Sequence, residues 1–481
     1  MILLLAVMLP ILAGALMPAI KLKTKVRNWY MIIASLLTSV LAAIAVFSDI
    51  PGLELIRFNE QLNLALRLDH LGKVFVALIS VLWPISIIYA IAYMKNEEKQ
   101  TSFFTFFMMS YGVTLGIAMS RNLLTLYVFY EMMTLSTLPL VMHGGSQKSI
   151  RAGLKYLYYS LGGSAFAFVS LVYLVYFGGT TEFVPGGFFT TASLQNSTQL
   201  RNGYLLSFLG FSVKAAVFPV QDWLPDASVA PTPVTGLLHA VAVVKSGVFA
   251  IIRVTYFSFG IIVLKDSYAQ TIPLFLSAFT IVFGCVMALK EKHLKRRIAY
   301  STVSNLSYIV FGCMLMTREG LTAALLHLIF HAIMKITLFF TSGVYNQNAN
   351  AYYVDHLRGL GWKMPMVSAV FTLGSLALTG IPPLIGFVSK WYLAIAAIQE
   401  GGILPLLGVL ALIISAILTS IYLLVPAITM YTRPVQDERI IKPTDLGYKV
   451  TLLSLGAMMI ALSFFAVPLL NYLARTASMA I

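Results

Sequence analysis

Fourteen apolar runs of about twenty residues, each bounded by turn residues or charges, divide this chain from one end to the other. They fall near 2–20, 29–48, 70–93, 102–119, 122–142, 153–177, 203–219, 235–258, 270–289, 298–316, 320–344, 365–398, 403–429 and 448–471. A helix needs about 20 apolar residues to cross the hydrocarbon core of a bilayer. Inside lipid every backbone N–H and C=O must find a partner within the protein, so runs of this length fold as helices. The expected fold class is therefore an all-α polytopic membrane protein with about fourteen transmembrane helices. Composition agrees, because only 11% of the 481 residues are charged, against roughly 25% in soluble proteins.

The charges outside the runs set the expected orientation. With the N-terminus placed outside, twenty of the thirty-three Lys and Arg fall on the inner side, among them Lys21, Lys23, Lys25, Arg27, Lys295, Arg433 and Arg439. Nine fall outside, including Lys73, Arg121 and Arg253, and four lie within runs. That asymmetry is the positive-inside pattern, so both termini are expected outside. It also accounts for most of the formal charge of +15 without any nucleic-acid partner. The N-terminal Met1-Ile2-Leu3-Leu4-Leu5 lacks a basic leader and a small-residue cleavage site, and is expected to be a retained first helix.

Two runs carry helix breakers. The seventh continues into Phe218-Pro219-Val220-Gln221-Asp222-Trp223-Leu224-Pro225-Asp226 and then Ala230-Pro231-Thr232-Pro233. The twelfth contains Thr379-Gly380-Ile381-Pro382-Pro383. Proline removes a donor and clashes with the preceding turn. Non-helical backbone at membrane depth is tolerated only where protein or a water-filled cavity surrounds it. Broken helices at matching positions of two halves point to inverted repeats. The breaks lie five spans apart, which suggests two inverted five-helix repeats, spans 4–8 and 9–13.

Five charges sit inside the runs: Glu131, Lys214, Lys245, Lys335 and Lys390. Each costs roughly 2.5–3.5 kcal/mol at mid-bilayer on insertion scales, so together they oppose insertion by on the order of 10 kcal/mol. Such residues mark ion pathways by default. Glu131 is about half way along span five; packing between helices is the bland alternative, and Lys214 is the expected partner. Lys214 precedes the first break, where small neighbours favour a hydrated cavity over snorkelling to the interface. Lys245, in Val244-Lys245-Ser246-Gly247, has no nearby boundary to reach. In span eleven, His327, His331 and Lys335 follow one another at i, i+4 and i+8, which puts them on one helical face. Two histidines at that spacing are also half a metal site, but no acidic or thiol ligand stands beside them and Lys335 repels cations. A proton relay fits better, since histidine titrates nearest neutrality. Lys390 follows the second break, with an interfacial anchor beside Trp391 as its alternative. His239 and Gln221 are secondary candidates, and Asp222 and Asp226 either cap helix ends or line an access funnel. No metal and no cofactor is expected on this chain: Cys285 and Cys313 are too few for an iron–sulfur cluster, and the sequence has no P-loop, GxGxxG, HExxH or Ser/His/Asp arrangement.

Several of these segments resemble one family. They are Leu224-Pro225-Asp226-Ala227 with Ala230-Pro231-Thr232-Pro233-Val234 and Lys245, Arg296-Arg297-Ile298-Ala299-Tyr300-Ser301-Thr302-Val303-Ser304, the His331/Lys335 helix, and Gly380-Ile381-Pro382-Pro383-Leu384-Ile385-Gly386-Phe387-Val388-Ser389-Lys390. They are similar to the antiporter-like proton-translocating subunits of respiratory complex I, Mrp cation/proton antiporters and energy-converting membrane-bound hydrogenases. The match covers roughly spans 4–13. It implies a helix-five glutamate paired with a helix-seven lysine (Glu131 and Lys214), a central lysine (Lys245), a relay at His331 and Lys335, and a terminal charge on helix twelve (Lys390). The implied divisions are an N-terminal three-helix segment (1–100), a first antiporter-like repeat (101–260), a second (268–430) and a C-terminal helix (431–481). Two departures stand out: Gln221 replaces a histidine found in several members, and the chain runs too little past span fourteen for the long lateral helix of the largest ones.

The expected function is a proton-translocating subunit of a complex I-like or hydrogenase-type assembly in a prokaryotic plasma membrane. Its expected partners are other membrane subunits and a peripheral iron–sulfur redox module, and its cargo protons, with Na+ left open. A Mrp-type antiporter subunit is the close alternative, and a stand-alone solute transporter the distant one. Redox catalysis is not expected on this chain.

Overall fold

The computed structural model describes residues 1–432 and 440–481, with side chains for all of them except residues 191 and 192. Arg433 and Arg439, both expected among the inner charges, lie outside the described residues. Among the described residues, eleven helices are long and apolar enough to cross a membrane: Ile2–Ile20, Thr24–Phe47, His70–Asn96, Gln100–Ala118, Leu123–Val141, Gln147–Gly178, Thr232–Phe259, Tyr268–Lys290, Arg318–Ala349, Ile403–Thr429 and Leu446–Phe464. Ser197–Ala215, Leu294–Met314 and the pair Pro365–Thr379/Ile385–Glu400 pack among them. Each expected run thus holds a helix or a broken pair, and the chain is a multi-pass helical membrane protein.

Polar residues at the run boundaries start the helices. Asn122, Ser146, Thr317 and Asp445 each accept a backbone N–H from the first turn that follows, supplying one of the partners that a helix start lacks. Two helices form the centre. Arg318–Ala349 and Thr232–Phe259 are buried almost throughout, whereas Thr24–Phe47, Gln147–Gly178 and Leu446–Phe464 bury about a third of their residues and turn the rest outward.

Loop contacts sort the two ends of the bundle. At one end Leu66 pairs with Ser120, Asn122 with Glu182, and Arg67 donates to the Phe183 carbonyl. At the other, Lys95 meets Asp445, the Lys442 amide bonds Asn348, and His293 pairs with Tyr353. These are the two sets of loops that the Lys/Arg count separates.

The structure departs from the expected layout in four places. A short antiparallel hairpin, Leu53–Arg57 with Asn63–Leu66, occupies the loop after the second helix. Span eight is two helices, Thr232–Ala240 and Val243–Arg253, interrupted at Val241 and Ala242. Span fourteen stops at Phe464 rather than running to 471, and a separate helix, Ala466–Ala480, follows. Pro468 explains the stop, because it has no N–H for the Phe464 carbonyl and its ring clashes with that carbonyl four residues back. The last helix ends against the first loop set, where the Gly186 amide bonds the Ala480 carbonyl.

The fourth departure concerns two charges read as loop residues. Arg253 and Lys295 are both buried. The Arg253 guanidinium bonds both carboxylate oxygens of Asp69, the N-cap of His70–Tyr93. The rings of Phe183, Phe249 and Phe257 surround it, with centroids 5.0, 4.9 and 4.7 Å away. Burial alone would raise the Asp69 pKa. The Arg253 charge and hydrogen bonds, with the Gly72 amide, outweigh it and hold the carboxyl below its usual value. The pair therefore contributes stability above the ordinary carboxylate pKa, and loses it as pH falls through the depressed one. Removing one partner of a buried ion pair costs about 3–5 kcal/mol. Asp69→Asn is expected to lower stability by that amount at neutral pH, read from the denaturant midpoint of the detergent-solubilised chain, and by less in acid.

Candidate functional site

The first break begins where Ser197–Ala215 ends. Ala216 takes left-handed backbone (φ 55°) and the Phe218–Pro219 bond is cis. The short helix Trp223–Ala227 follows, and the Trp223 indole donates to the Val213 carbonyl at 2.7 Å. Lys214 lies in the last turn of the first half, where a cation suits the negative end of the helix dipole. Its ammonium donates to the Tyr130 carbonyl at 2.5 Å and stands 3.4 Å from the centroid of the Tyr130 ring.

Glu131, the next residue of Leu123–Val141, accepts a hydrogen bond from Ser164 of Gln147–Gly178. The expected ion pair between Glu131 and Lys214 is therefore not formed. Consecutive helix residues point about 100° apart, and Lys214 approaches on the Tyr130 side, where the carbonyl has a second lone pair free.

Lys245 follows the interruption of span eight and is fully buried. Two residues on, Gly247 meets the first break. A Cβ there would lie 2.4 Å from the Ala215 nitrogen and 2.7 Å from the Lys214 carbonyl carbon. Only glycine allows that approach, and it brings the backbones carrying Lys214 and Lys245 together. The Lys245 Nζ lies 2.8 Å from His331 Nδ1. A hydrogen bond joins the two nitrogens, and which of them donates depends on the histidine tautomer.

From His331 the polar line continues along Arg318–Ala349. The His331 and His327 rings stack with centroids 5.8 Å apart. His327 stacks on Tyr308 at 5.1 Å, and its Nδ1 lies 2.9 Å from the Ser389 hydroxyl. Ser389 adjoins Lys390, whose ammonium donates to the Leu378 and Thr379 carbonyls at 2.7 and 2.9 Å and lies 5.5 Å from the Tyr308 centroid. It thus caps the end of Pro365–Thr379 across the second break, where Gly380 has φ 95° and the Pro382–Pro383 bond is cis. Trp391 is the exposed neighbour, but the Lys390 ammonium turns away from it into the protein.

Lys335 leaves this line. It bonds the Ile298 carbonyl at 3.2 Å and the Ser301 hydroxyl, both on Leu294–Met314. The three residues of the expected stripe share a helix, but only the two histidines touch. His239 packs its ring 4.7 Å from Phe339, and neither ring nitrogen has a protein partner. Gln221 donates to Asp222 at 2.9 Å. Asp226 ties Lys155 and Arg296, at 2.7 and 2.9 Å, and Arg296 also holds Glu291 at 3.0 Å.

Asp226 opens on a polar cavity of about 300 Å³ at the Lys95 end of the bundle, lined also by Glu97, His143, His293 and Lys295. Burial, and then the Lys295 charge, pushes the His293 imidazole down to about 4. Lys295 donates to the Ala230 carbonyl at 2.9 Å, on the loop between spans seven and eight. It lies one turn before Ile298, whose carbonyl Lys335 uses. Sequence reasoning missed Lys295 because Lys295-Arg296-Arg297 reads as a loop cluster. The signal that would have found it is the polar face Ser301, Ser304, Asn305 and Ser307 on the same helix, out of place against lipid.

Residues 120–419, which hold every one of these contacts on spans five to twelve, match the family described as NADH:quinone oxidoreductase/Mrp antiporter, TM. The chain belongs to that family. Among its relatives is the NADH-quinone oxidoreductase subunit N of Desulforudis audaxviator, 29% identical over 83% of this chain and 79% of the relative. Hydrogenase-4 component B of Escherichia coli is 32% identical over 69% of this chain, and an Na(+)/H(+) antiporter subunit of Alkalihalophilus pseudofirmus is 28% identical over 84%. The matched region spans about half the length of these last two. The fold is that of a chain in the archaeal membrane-bound sulfane sulfur reductase, with TM-score 0.89 and 24% identity over 99% of this chain and 97% of that one. A chain of the Mrp complex from Dietzia matches with TM-score 0.85 at 23% identity, over 99% of this chain and 52% of that one. This protein is an antiporter-like membrane subunit homologous to those of NADH-quinone oxidoreductase, hydrogenase-4 and Na(+)/H(+) antiporters.

Closure of the second break depends on Gly386. A Cβ there would stand 1.7 Å from the Ala377 carbonyl oxygen, a backbone atom that cannot swing aside. Gly386→Ala is expected to force the half-helices apart and lower stability by about 1–3 kcal/mol, as overpacking does. Gly162→Ala, which meets nothing within 4 Å, serves as the control in the same thermal-unfolding assay.

Proposed function

We propose that this subunit carries protons across the membrane along the line from Lys214 to Lys390, within a larger assembly whose redox chemistry is done by other subunits. The observation that carries the reading is the Lys245–His331 contact. Two groups that each gain and lose a proton share one hydrogen bond deep in the bundle, and the histidine is stacked on a second. Buried amines and imidazoles without carboxylate partners are costly, and their arrangement as a row of neighbouring groups gives that cost a use.

In this reading protons reach the line from the polar cavity at Asp226 and Lys295, on the side that the excess of Lys and Arg makes cytoplasmic. Lys295, one turn from the Ile298 carbonyl that Lys335 uses, links that cavity to Lys335. From Lys245 the proton passes to His331 and His327, then by Ser389 to Lys390 and outward. Glu131, beside the first break but not ion-paired with Lys214, is the group placed to answer a neighbouring subunit. The matching breaks support a division into repeats over 101–260 and 268–430. Both termini are outside in this orientation.

The relatives named above support other membrane subunits as partners; in this reading a peripheral iron–sulfur module supplies the energy. A Mrp-type antiporter is the second reading, favoured by the match over 84% of the chain to the Na(+)/H(+) antiporter protein of Alkalihalophilus pseudofirmus; Na+ would then be the exchanged cation. Co-purification separates the two: iron–sulfur partners support the first, an assembly of membrane subunits alone the second.

Lys245→Ala in the assembled complex is expected to abolish proton uptake into inverted vesicles, followed with a pH-sensitive dye, while the complex still assembles. Pumping at the wild-type rate would overturn the proposal. His327→Ala, which cuts the line two steps later, is expected to slow uptake at least tenfold.

A further inference from the structure

Arg27 is a buried cation for which the described residues supply no anion. It is 6% exposed, its guanidinium bonds only the amide oxygens of Asn28 and Gln100, its Nε has no partner, and it lies over the Phe104 ring. Asn28 and Gln100 both line a groove of about 630 Å³ between the helices Thr24–Phe47, His70–Tyr93 and Leu446–Phe464. The groove changes character along its length. Lys25 and Lys95 stand at its mouth, and Ile32, Ile88, Ile91 and Val450 form its apolar wall.

Charge at the mouth is one-sided. Lys21, Lys23, Lys25 and Arg27 precede or open Thr24–Phe47, and Lys95 and Lys99 follow His70–Tyr93, against Glu97, Glu98 and Asp445. Asp445 reaches Lys95 at 3.4 Å with both side chains substantially exposed, an arrangement that contributes little and yields readily to a better anion. A cluster of basic residues immediately inside a membrane helix attracts anionic headgroups.

We propose that this groove seats one anionic phospholipid, with its phosphate against Lys25 and Lys95 and an acyl chain along Ile32, Ile88 and Ile91. The charged head and apolar tail of such a molecule match the two ends of the groove. Arg27, held behind Asn28 and Gln100, adds to the positive field without touching the lipid. A helix of a neighbouring subunit is the competing occupant, but it would have to place an anion beside Lys25 and Lys95.

The test is native mass spectrometry of the full-length subunit, freed from detergent after equilibration with equal phosphatidylglycerol and phosphatidylcholine. One tightly held phosphatidylglycerol per chain is expected. In the Lys25→Gln/Lys95→Gln double variant its preference over phosphatidylcholine is expected to fall about thirtyfold, which corresponds to about 1 kcal/mol for each lysine. Lys292→Gln, on the same side but away from the groove, is expected to change nothing. Equal retention of the two lipids by the wild-type chain, or an unchanged preference in a double variant with wild-type melting behaviour, overturns the proposal. So does cross-linking of a Leu446→Cys variant, labelled with a thiol-reactive photo-cross-linker, to a neighbouring subunit in the intact assembly, because that would put protein in the groove. The wild-type comparison decides the question even if the double variant does not fold.

Discussion

A helix that stops inside a bilayer leaves carbonyls that no water can reach, and this architecture turns on how those carbonyls are met. Lys390 reaches back across its own break to the Leu378 and Thr379 carbonyls. Trp223 does the same for Val213, and Lys295 holds Ala230 on the loop that follows. An ammonium has three donors on a flexible stem, which suits it to a helix end that has lost its regular partners. Charge-assisted hydrogen bonds are about twice as strong as neutral ones. In the proposed function, a lysine that gave up its proton would weaken its hold on the break it closes.

Close backbone approach is what turns separate lysines into a line. Gly247 lets Val243–Arg253 lie against the Lys214–Ala215 backbone, and Gly386 lets the second half of span twelve lie against Ala377. With those distances set, Lys245 meets His331 and Ser389 meets His327. The long central helix Arg318–Ala349 therefore touches the interrupted span eight and the broken span twelve, and the two histidines bridge the interval between them. At the far end of the bundle the Arg253–Asp69 pair holds the start of His70–Tyr93 against the end of Val243–Arg253. The helix that carries Lys245 is thus anchored at its outer end while its inner end is interrupted.

Much of the site was legible in the linear chain because lipid penalises charge so heavily. Lys214, Lys245, Lys335, Lys390, His327 and His331 stand out in runs that are otherwise apolar. The partners of these residues were not legible. Glu131 and Lys214 read as a pair, yet each bonds another group, since which neighbour faces a side chain depends on helix rotation. The even spacing of His327, His331 and Lys335 suggested one relay, yet Lys335 turns to Ser301. Lys295 and Arg253 read as loop charges because run boundaries are soft by several residues, and only packing decides whether a charge near a boundary faces solvent or protein.

Hydrophobic run length and the placement of Lys and Arg, both local properties, determined by themselves that this chain is a multi-pass helical membrane protein, how its loops divide between two sides, and where two of its helices break. Tertiary structure alone decided the third interruption before Lys245, the partner of every buried cation and the order of contacts from Lys245 through His331 and His327 to Ser389. Those depend on distances between segments far apart in the chain, set by glycine contacts and helix rotation, which hydropathy does not encode.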